Sequence, residues 1–500
     1  VKLRETLLVS ILAAAPAAAA TCESLASLTL PDTSITSAQP VAAGAFTPRQ
    51  ASDTSQAFKD LPPFCRIAAT LKPTSDSDIK IEVWLPASGW NSKFQVVGNG
   101  GWAGVISYPA LGLALRRGYA AASTDTGHTG ANGQFALGHP EKLIDFAYRS
   151  EHEMTVKGKA IVEAFYGNAP KYSYWNGCST GGRQGLKEAQ RFASDFDGII
   201  AGAPANPRTR LAAQAIWVAH ATLKDPASYI PPSKYPLIHQ AALDACDAMD
   251  GVKDGLIEDP TRCHFDPKVL ECKGAEGPSC LTAPQAEAAR KLYSPTKNPR
   301  TGEELYPGYS AGSELGWAIK AKGPEAELNG LDQFRYVVFK DPNWDWRTFN
   351  FDSDVALADK IDNETINATD RNLKPFLSHG KLLMYHGWSD PNVPPLSTVN
   401  YYKSVVDTLG GTKKTMDSMR LFMEPGMGHC RAGEGPDTFD VVSALEQWVE
   451  KGKAPEQMIA SHRTNGALDR TRPLCPYPQV AKYKGSGSID DAANFTCKAP

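Results

Sequence analysis

A chain of 500 residues is longer than one hydrophobic core comfortably serves, so a large domain carrying a sizeable insertion, or two domains, is expected. A hydrophobic share of 42% with 9% aromatics excludes a disordered or fibrous chain. A net charge of -3 argues against nucleic acid as a partner.

The chain opens with Lys2 and Arg4, then an apolar run ending in Ala18, Ala19 and Ala20. That pattern reads as a secretory signal peptide over residues 1–20, its apolar core too short for a permanent anchor. No later run is apolar for long enough to make a membrane helix, so neither a membrane nor nucleic acid is expected as partner. Ten cysteines, an even number in an exported chain, suggest five disulfides. Sequons at Asn363, Asn367 and Asn494 fit glycosylation on a eukaryotic secretory route.

After an extended arm over residues 21–51, strands are predicted at residues 79–85 and 94–97. The second runs into Gly98, Asn99, Gly100, Gly101, Trp102, Ala103 and Gly104. So bare a backbone makes either a tight turn or a set of N–H groups able to bind an oxyanion, with Gly100 and Gly101 the candidates. A helix at 111–117 and a strand at 119–123 follow, then a loop with Asp125 and His128. Helical spacing over 145–166 delivers the chain to the next strand. Alternation of this kind argues for a mostly parallel sheet covered on both faces.

Residues 172–192 read YSYWNGCSTGGRQGLKEAQRF: a β-prone aromatic run, small residues, then a helix-compatible segment. Gly177-Cys178-Ser179-Thr180-Gly181 at the turn is a G-x-S-x-G, whose glycines allow the strained turn that lifts a serine hydroxyl above the sheet. Ser179 is the candidate nucleophile, and the N–H of Thr180 a candidate oxyanion donor. In α/β-hydrolases the acid and the histidine follow the serine, so Asp125 and His128 are assigned to structure or pocket wall.

From residue 206 the alternation stops until about 381. This insertion, residues 206–375, is read as a lid domain at the sheet's catalytic edge, a passive scaffold being the alternative. Its Trp217, Trp344 and Trp346 could stack on an aromatic ring or fill its core. Within it, Asp247, Asp250 and Asp254 lie close together among sharp-turning glycines. Such oxygen-rich sequence suits calcium, though not in an EF-hand, or is a solvated acidic turn.

A strand predicted at 381–385 leads to Asp390, the candidate acid. His386 and His379 precede it and fit the chain order poorly. A strand at 420–423 leads to a glycine-rich loop with His429, the candidate base, and a helix at 438–451 closes the core. If His429 serves Ser179, the two approach to roughly 2.6–3.2 Å. Their neighbours Cys178 and Cys430 could then fall within the roughly 4.4–6.8 Å Cα separation of a disulfide.

CSTGGRQG, the following FDGIIAGAPA, the Asp of HGWSDPNVPP and the final GHC resemble the tannase and feruloyl esterase family, and most of all the fungal type B feruloyl esterases. The likeness runs in family order from about Cys65 to the C-terminus. It implies an α/β-hydrolase core over residues 21–205 and 376–500, with a mostly parallel sheet and the large lid inserted. It implies a bridge between Cys178 and Cys430, and suggests pairing Cys22 with Cys65, Cys246 with Cys263, Cys272 with Cys280, and Cys475 with Cys497. It implies a structural calcium held by Asp247, Asp250 and Asp254 with the carbonyls of Val252 and Leu256, and no organic cofactor.

Acyl transfer through Ser179, His429 and Asp390 would make the chain a secreted serine esterase. The expected substrates are ferulic and related hydroxycinnamic esters of plant cell-wall polysaccharides. The lid has no Lys-Arg pair, at which some fungal tannases are processed, and this tilts the reading away from gallate esters. The alternatives are a tannase, or a non-catalytic, calcium-dependent binding protein on a hydrolase scaffold.

Overall fold

The computed structural model describes residues 20–48 and 55–500; the signal-peptide reading falls, but for Ala20, outside them. Nine strands form one sheet: β1 Thr33–Val41, β2 Phe64–Leu71, β3 Ile79–Pro86, β4 Lys93–Val97, β5 Ala120–Thr124, β6 Tyr172–Cys178, β7 Gly198–Gly202, β8 Lys381–Gly387 and β9 Met419–Glu424. Their order is β1-β2-β3-β5-β4-β6-β7-β8-β9. β1, β2 and β3 pair antiparallel up to β5, and from β5 to β9 every pairing is parallel. This is the α/β-hydrolase arrangement.

The sequence explains the layering. Every residue of β5 and β7 is buried, as the covered interior strands of a parallel sheet require, whereas β1, at the edge, has no buried residue. Alternate residues feed opposite faces: Ile199, Ala201, Leu382 and Met384 join one core, while Ile200, Leu383 and Tyr385 join the other.

Residues 203–380, between β7 and β8, are mainly helical. Helices Arg208–Thr222, Tyr235–Cys246, Ala283–Tyr293 and Ser353–Asp362 are accompanied by a short ribbon of Thr296–Lys297 against Glu304–Tyr306. They enclose clusters of their own, one around Ile216, Phe334 and Trp346, another around Ile238 and Trp317. Trp346 is fully buried with its N–H donating to Glu325, and Trp217 and Trp344 pack on the same cluster. The three tryptophans are therefore core, not ring-stacking platforms.

The insertion is tied to the loop after β9. His239 lies 2.8 Å from Glu314, and its other ring nitrogen lies 2.7 Å from Glu434, off the hydrogen-bonding direction. Beyond helix Val441–Lys451 come a hairpin, Met458–Thr464 with Ala467–Leu474, and a ribbon, Val480–Tyr483 with Phe495–Lys498. Neither was foreseen from the sequence.

Five disulfides join Cys22 to Cys65, Cys178 to Cys430, Cys246 to Cys263, Cys272 to Cys280, and Cys475 to Cys497. The sequons differ sharply in surroundings. Asn363 is exposed at the end of a helix, but Asn367 is buried with its amide nitrogen donating to Thr209 at 3.1 Å. A glycan on Asn367 conflicts with this packing. The Asn494 nitrogen is likewise engaged, on the carbonyl of Ser488 at 2.9 Å.

Candidate active site

Ser179 sits between β6 and helix Thr180–Arg191 at φ 64° and ψ -122°, a backbone conformation that costs a residue with a Cβ roughly 1–3 kcal/mol. Close packing holds it there. Its N–H donates to Gly202 at 3.0 Å, and its carbonyl accepts from Arg183 at 3.0 Å and Ala205 at 3.1 Å. The glycines are needed for proximity: a Cβ on Gly177 would stand 2.5 Å from the backbone of Gly181.

His429 follows β9 in a loop laced to the one after β8. Trp388 donates to Glu424 at 2.8 Å and Ser389 to Met427 at 3.0 Å. These bonds bring His429 Nδ1 to 2.7 Å from Asp390 Oδ2. Asp390 is fully buried, and its Oδ1 accepts the N–H groups of Asn392 at 2.7 Å and Val393 at 3.0 Å. Burial alone would raise its carboxyl, but the facing His429 and His386 hold it below the ordinary carboxylate range.

Cys178 and Cys430, Cα atoms 6.0 Å apart, clasp the two loops. Ser179 and His429 then face one cavity of about 350 Å³, bordered also by Gly100, Gly101 and Arg208, but the expected hydrogen bond between them is not formed among the described residues. Thr180 caps the arrangement, its hydroxyl donating to the Gly101 carbonyl at 2.9 Å. Among the described residues, the N–H groups of Thr180, Gly100 and Gly101 have no acceptor.

The clasp closes a loop with a separation of 252 residues, which chain entropy values at roughly 5 kcal/mol as an upper figure. Alignment is expected to be its larger effect. Cys178→Ala with Cys430→Ala is expected to retain a cooperative thermal transition while losing most turnover; full kcat in the double variant would defeat this view.

Two supports escaped sequence reasoning. His386 Nε2 lies 3.0 Å from Asp390 Oδ2 and 2.8 Å from the Val393 carbonyl, while its Nδ1 meets Thr398 at 2.8 Å. Its place four residues before Asp390 was the available signal. Asn99 pins the glycine loop by donating to Val105 at 3.0 Å and Thr124 at 2.8 Å, and exchanges bonds with Gln184. Asp125 and His128 lie outside the cavity lining. Asp125 accepts from Lys80 and Gly127, and His128 reaches the Trp102 carbonyl at 2.7 Å, so both brace loops. His379 is exposed.

In the acidic turn, Asp247 accepts the N–H groups of Asp254 and Gly255, Asp250 that of Val252, and Asp254 that of Leu256. Val252 and Leu256 are buried, and among the described residues their carbonyls accept no hydrogen bond. Three carboxylates and two carbonyls are ligands of the kind calcium takes. Among the described residues, however, the three carboxylates do not converge on one point, and Asp247 and Asp254 have both oxygens engaged as they stand. Asp254 also pairs with buried Arg472 of the C-terminal hairpin, which neutralises part of that set.

A family model described as tannase and feruloyl esterase matches residues 65–498. An uncharacterized esterase of Xanthomonas campestris is 40% identical across 99% of this chain and 94% of its own length. A probable feruloyl esterase B-2 of Aspergillus terreus is 36% identical across 87% of this chain and 86% of its own. The crystal structure of feruloyl esterase B from Aspergillus oryzae matches with a TM-score of 0.90 at 33% identity, covering 95% of this chain and 99% of that one.

Proposed function

The chain belongs to the tannase and feruloyl esterase family, a carboxylic ester hydrolase by that membership, and from this premise we propose that it cleaves hydroxycinnamic esters through a Ser179, His429 and Asp390 acyl-enzyme mechanism. His429 takes the serine proton as Ser179 attacks the ester carbonyl. Asp390 fixes the imidazole's tautomer and stabilises its cationic form. The N–H of Thr180, with that of Gly100 or Gly101, receives the oxyanion, each donor being worth about 2.7–4 kcal/mol in comparable sites. His429 gives the serine's proton to the departing alcohol, leaving Ser179 acylated; water, activated by the freed imidazole, then releases the acid and restores the serine.

The observation that carries this reading is the buried Asp390 held against His429, on a loop bonded by disulfide to the serine turn. Ferulate and related acids are preferred over gallate because the relatives above include proteins named feruloyl esterase B. Esters of plant cell-wall polysaccharides are the proposed natural source. Secretion fits five disulfides and a described chain in which no helix is long and apolar enough to cross a membrane. A glycan on Asn363 accords with that route.

The test is a side-by-side panel of methyl ferulate, methyl caffeate and methyl gallate, with phosphonate labelling of Ser179. Faster turnover of the first two is expected. Preference for gallate would make the enzyme a tannase; failure to label Ser179 would leave only a binding protein. Calcium at Asp247, Asp250 and Asp254, completed by Val252 and Leu256, would stiffen the turn whose Asp254 already pairs with Arg472 of the C-terminal hairpin. Chelation with EDTA is therefore expected to lower the Tm reversibly, and an unchanged Tm would remove calcium from the account.

A further inference from the structure

The cavity beside Ser179 holds charged groups that ester cleavage does not use. Arg208, the first residue of helix Arg208–Thr222, is 5% exposed. Its guanidinium lies 4.4 Å over the Trp102 ring, yet among the described residues its Nε and Nη2 have no hydrogen-bond partner. Leaving buried donors of a charged group unpaired is costly, so a partner is expected from what enters the cavity.

Lys320 lines the same cavity, 3% exposed, and donates to Gln214 at 2.8 Å. An ammonium has three donors, so this bond leaves it further capacity. The carboxylate in the lining, Glu327, is committed elsewhere: its oxygens accept the N–H groups of Asn329 at 2.9 Å and Gly330 at 3.1 Å at the start of a helical turn. Two cations thus face a cavity whose carboxylate is occupied, and a wholly apolar acyl group would leave Arg208 unsatisfied.

We propose that Arg208, assisted by Lys320, binds an acidic oxygen on the substrate remote from the bond being cleaved, presented by a phenol or by a carboxylate. The inference rests on the esterase reading and deepens it by naming what the acyl group must carry. Burial lowers Lys320 to about 8, Glu327 opposing the shift, and Arg208 to about 10. Both are therefore mainly cationic near neutrality, in a setting where a new anionic partner is welcome.

The experiment measures kcat and KM for methyl ferulate, methyl 3,4-dimethoxycinnamate and methyl 4-carboxycinnamate, in the wild type, Arg208→Met, Arg208→Lys and Lys320→Met. A site built to bond a substrate oxygen rejects the masked analogue strongly, so a wild-type preference over the dimethoxy ester of at least about tenfold is expected. Arg208→Met should abolish most of that preference, mainly through KM, while dimethoxycinnamate stays within about threefold. Arg208→Lys should recover part of it. Whichever ester loses more, ferulate or carboxycinnamate, identifies the oxygen recognised.

An equal fall on all three esters, or a wild type indifferent to masking, would overturn the proposal. If the Arg208→Met melting curve shows a disrupted fold, Lys320→Met and Arg208→Lys carry the same comparison. A wild type that cleaves 4-nitrophenyl acetate but ignores the acidic oxygen refutes this inference alone. A wild type that cleaves no ester refutes the esterase reading as well.

Discussion

Ser179→Ala is expected to lower kcat for methyl ferulate by about a millionfold, the loss seen when the nucleophile of a comparable triad is removed. The reason is that no other hydroxyl is offered at the serine turn. Ser179 alone is lifted by its left-handed backbone into the cavity it shares with His429, and the Thr180 hydroxyl is committed to the Gly101 carbonyl. Stability should hardly change, since the Ser179 hydroxyl makes no hydrogen bond among the described residues while the turn is held by backbone bonds to Gly202, Arg183 and Ala205. A variant retaining more than about 1% of wild-type kcat, with contaminating esterase excluded by the phosphonate label, would mean that cleavage runs through another group.

Asp390→Asn should cost about ten-thousandfold in kcat, because an amide facing His429 Nδ1 favours the wrong imidazole tautomer. Here the substitution has a second consequence. Asp390 receives N–H groups from Asn392 and Val393 on one oxygen and faces two histidines with the other, so an amide NH₂ must meet a donor on one side. A lower Tm is therefore expected alongside the lost turnover, since a fully buried donor is left unpaired. His386→Gln offers the contrast, because His386 supports Asp390 without facing the cavity. It should lose far less turnover than Asp390→Asn. Asp390→Asn with kcat within about tenfold of wild type would remove the acid from the mechanism.

Much of the core was legible along the chain because its signals are local. The strand and helix on either side of Ser179 are written in a few consecutive residues, and residues 172–192 form β6 and helix Thr180–Arg191 as read. Loop positions of Asp390 and His429 follow from strands that precede them directly. The C-terminal hairpin was invisible for the opposite reason. Its strand Ala467–Leu474 mixes charged and apolar residues, and Arg472 is buried where Asp254, far away in sequence, pairs with it and the Phe495 ring covers it.

The same contrast separates His386 and Arg208 from the residues found in advance. His386 opens the HGWSDPNVPP segment without its role being announced there, and Arg208 lies outside every motif quoted. Each acquires its role from what the folded chain sets beside it: Asp390 and Val393 for His386, Trp102 and an enclosed cavity for Arg208. Asn367 is the reverse case, a short motif whose surroundings deny it the accessible nitrogen that a glycan requires.

By itself the sequence determined the layered α/β core, the turn that carries Ser179, and the family, because periodicity, glycine spacing and short motifs are properties of neighbouring residues. Tertiary structure alone decided that Asp390 is shared by two histidines, that Arg208 keeps two N–H groups without hydrogen-bond partners among the described residues, and that Asn367 is closed to solvent. Burial and pairing between segments hundreds of residues apart depend on how β7, the insertion and β8 come together, and no local pattern encodes them.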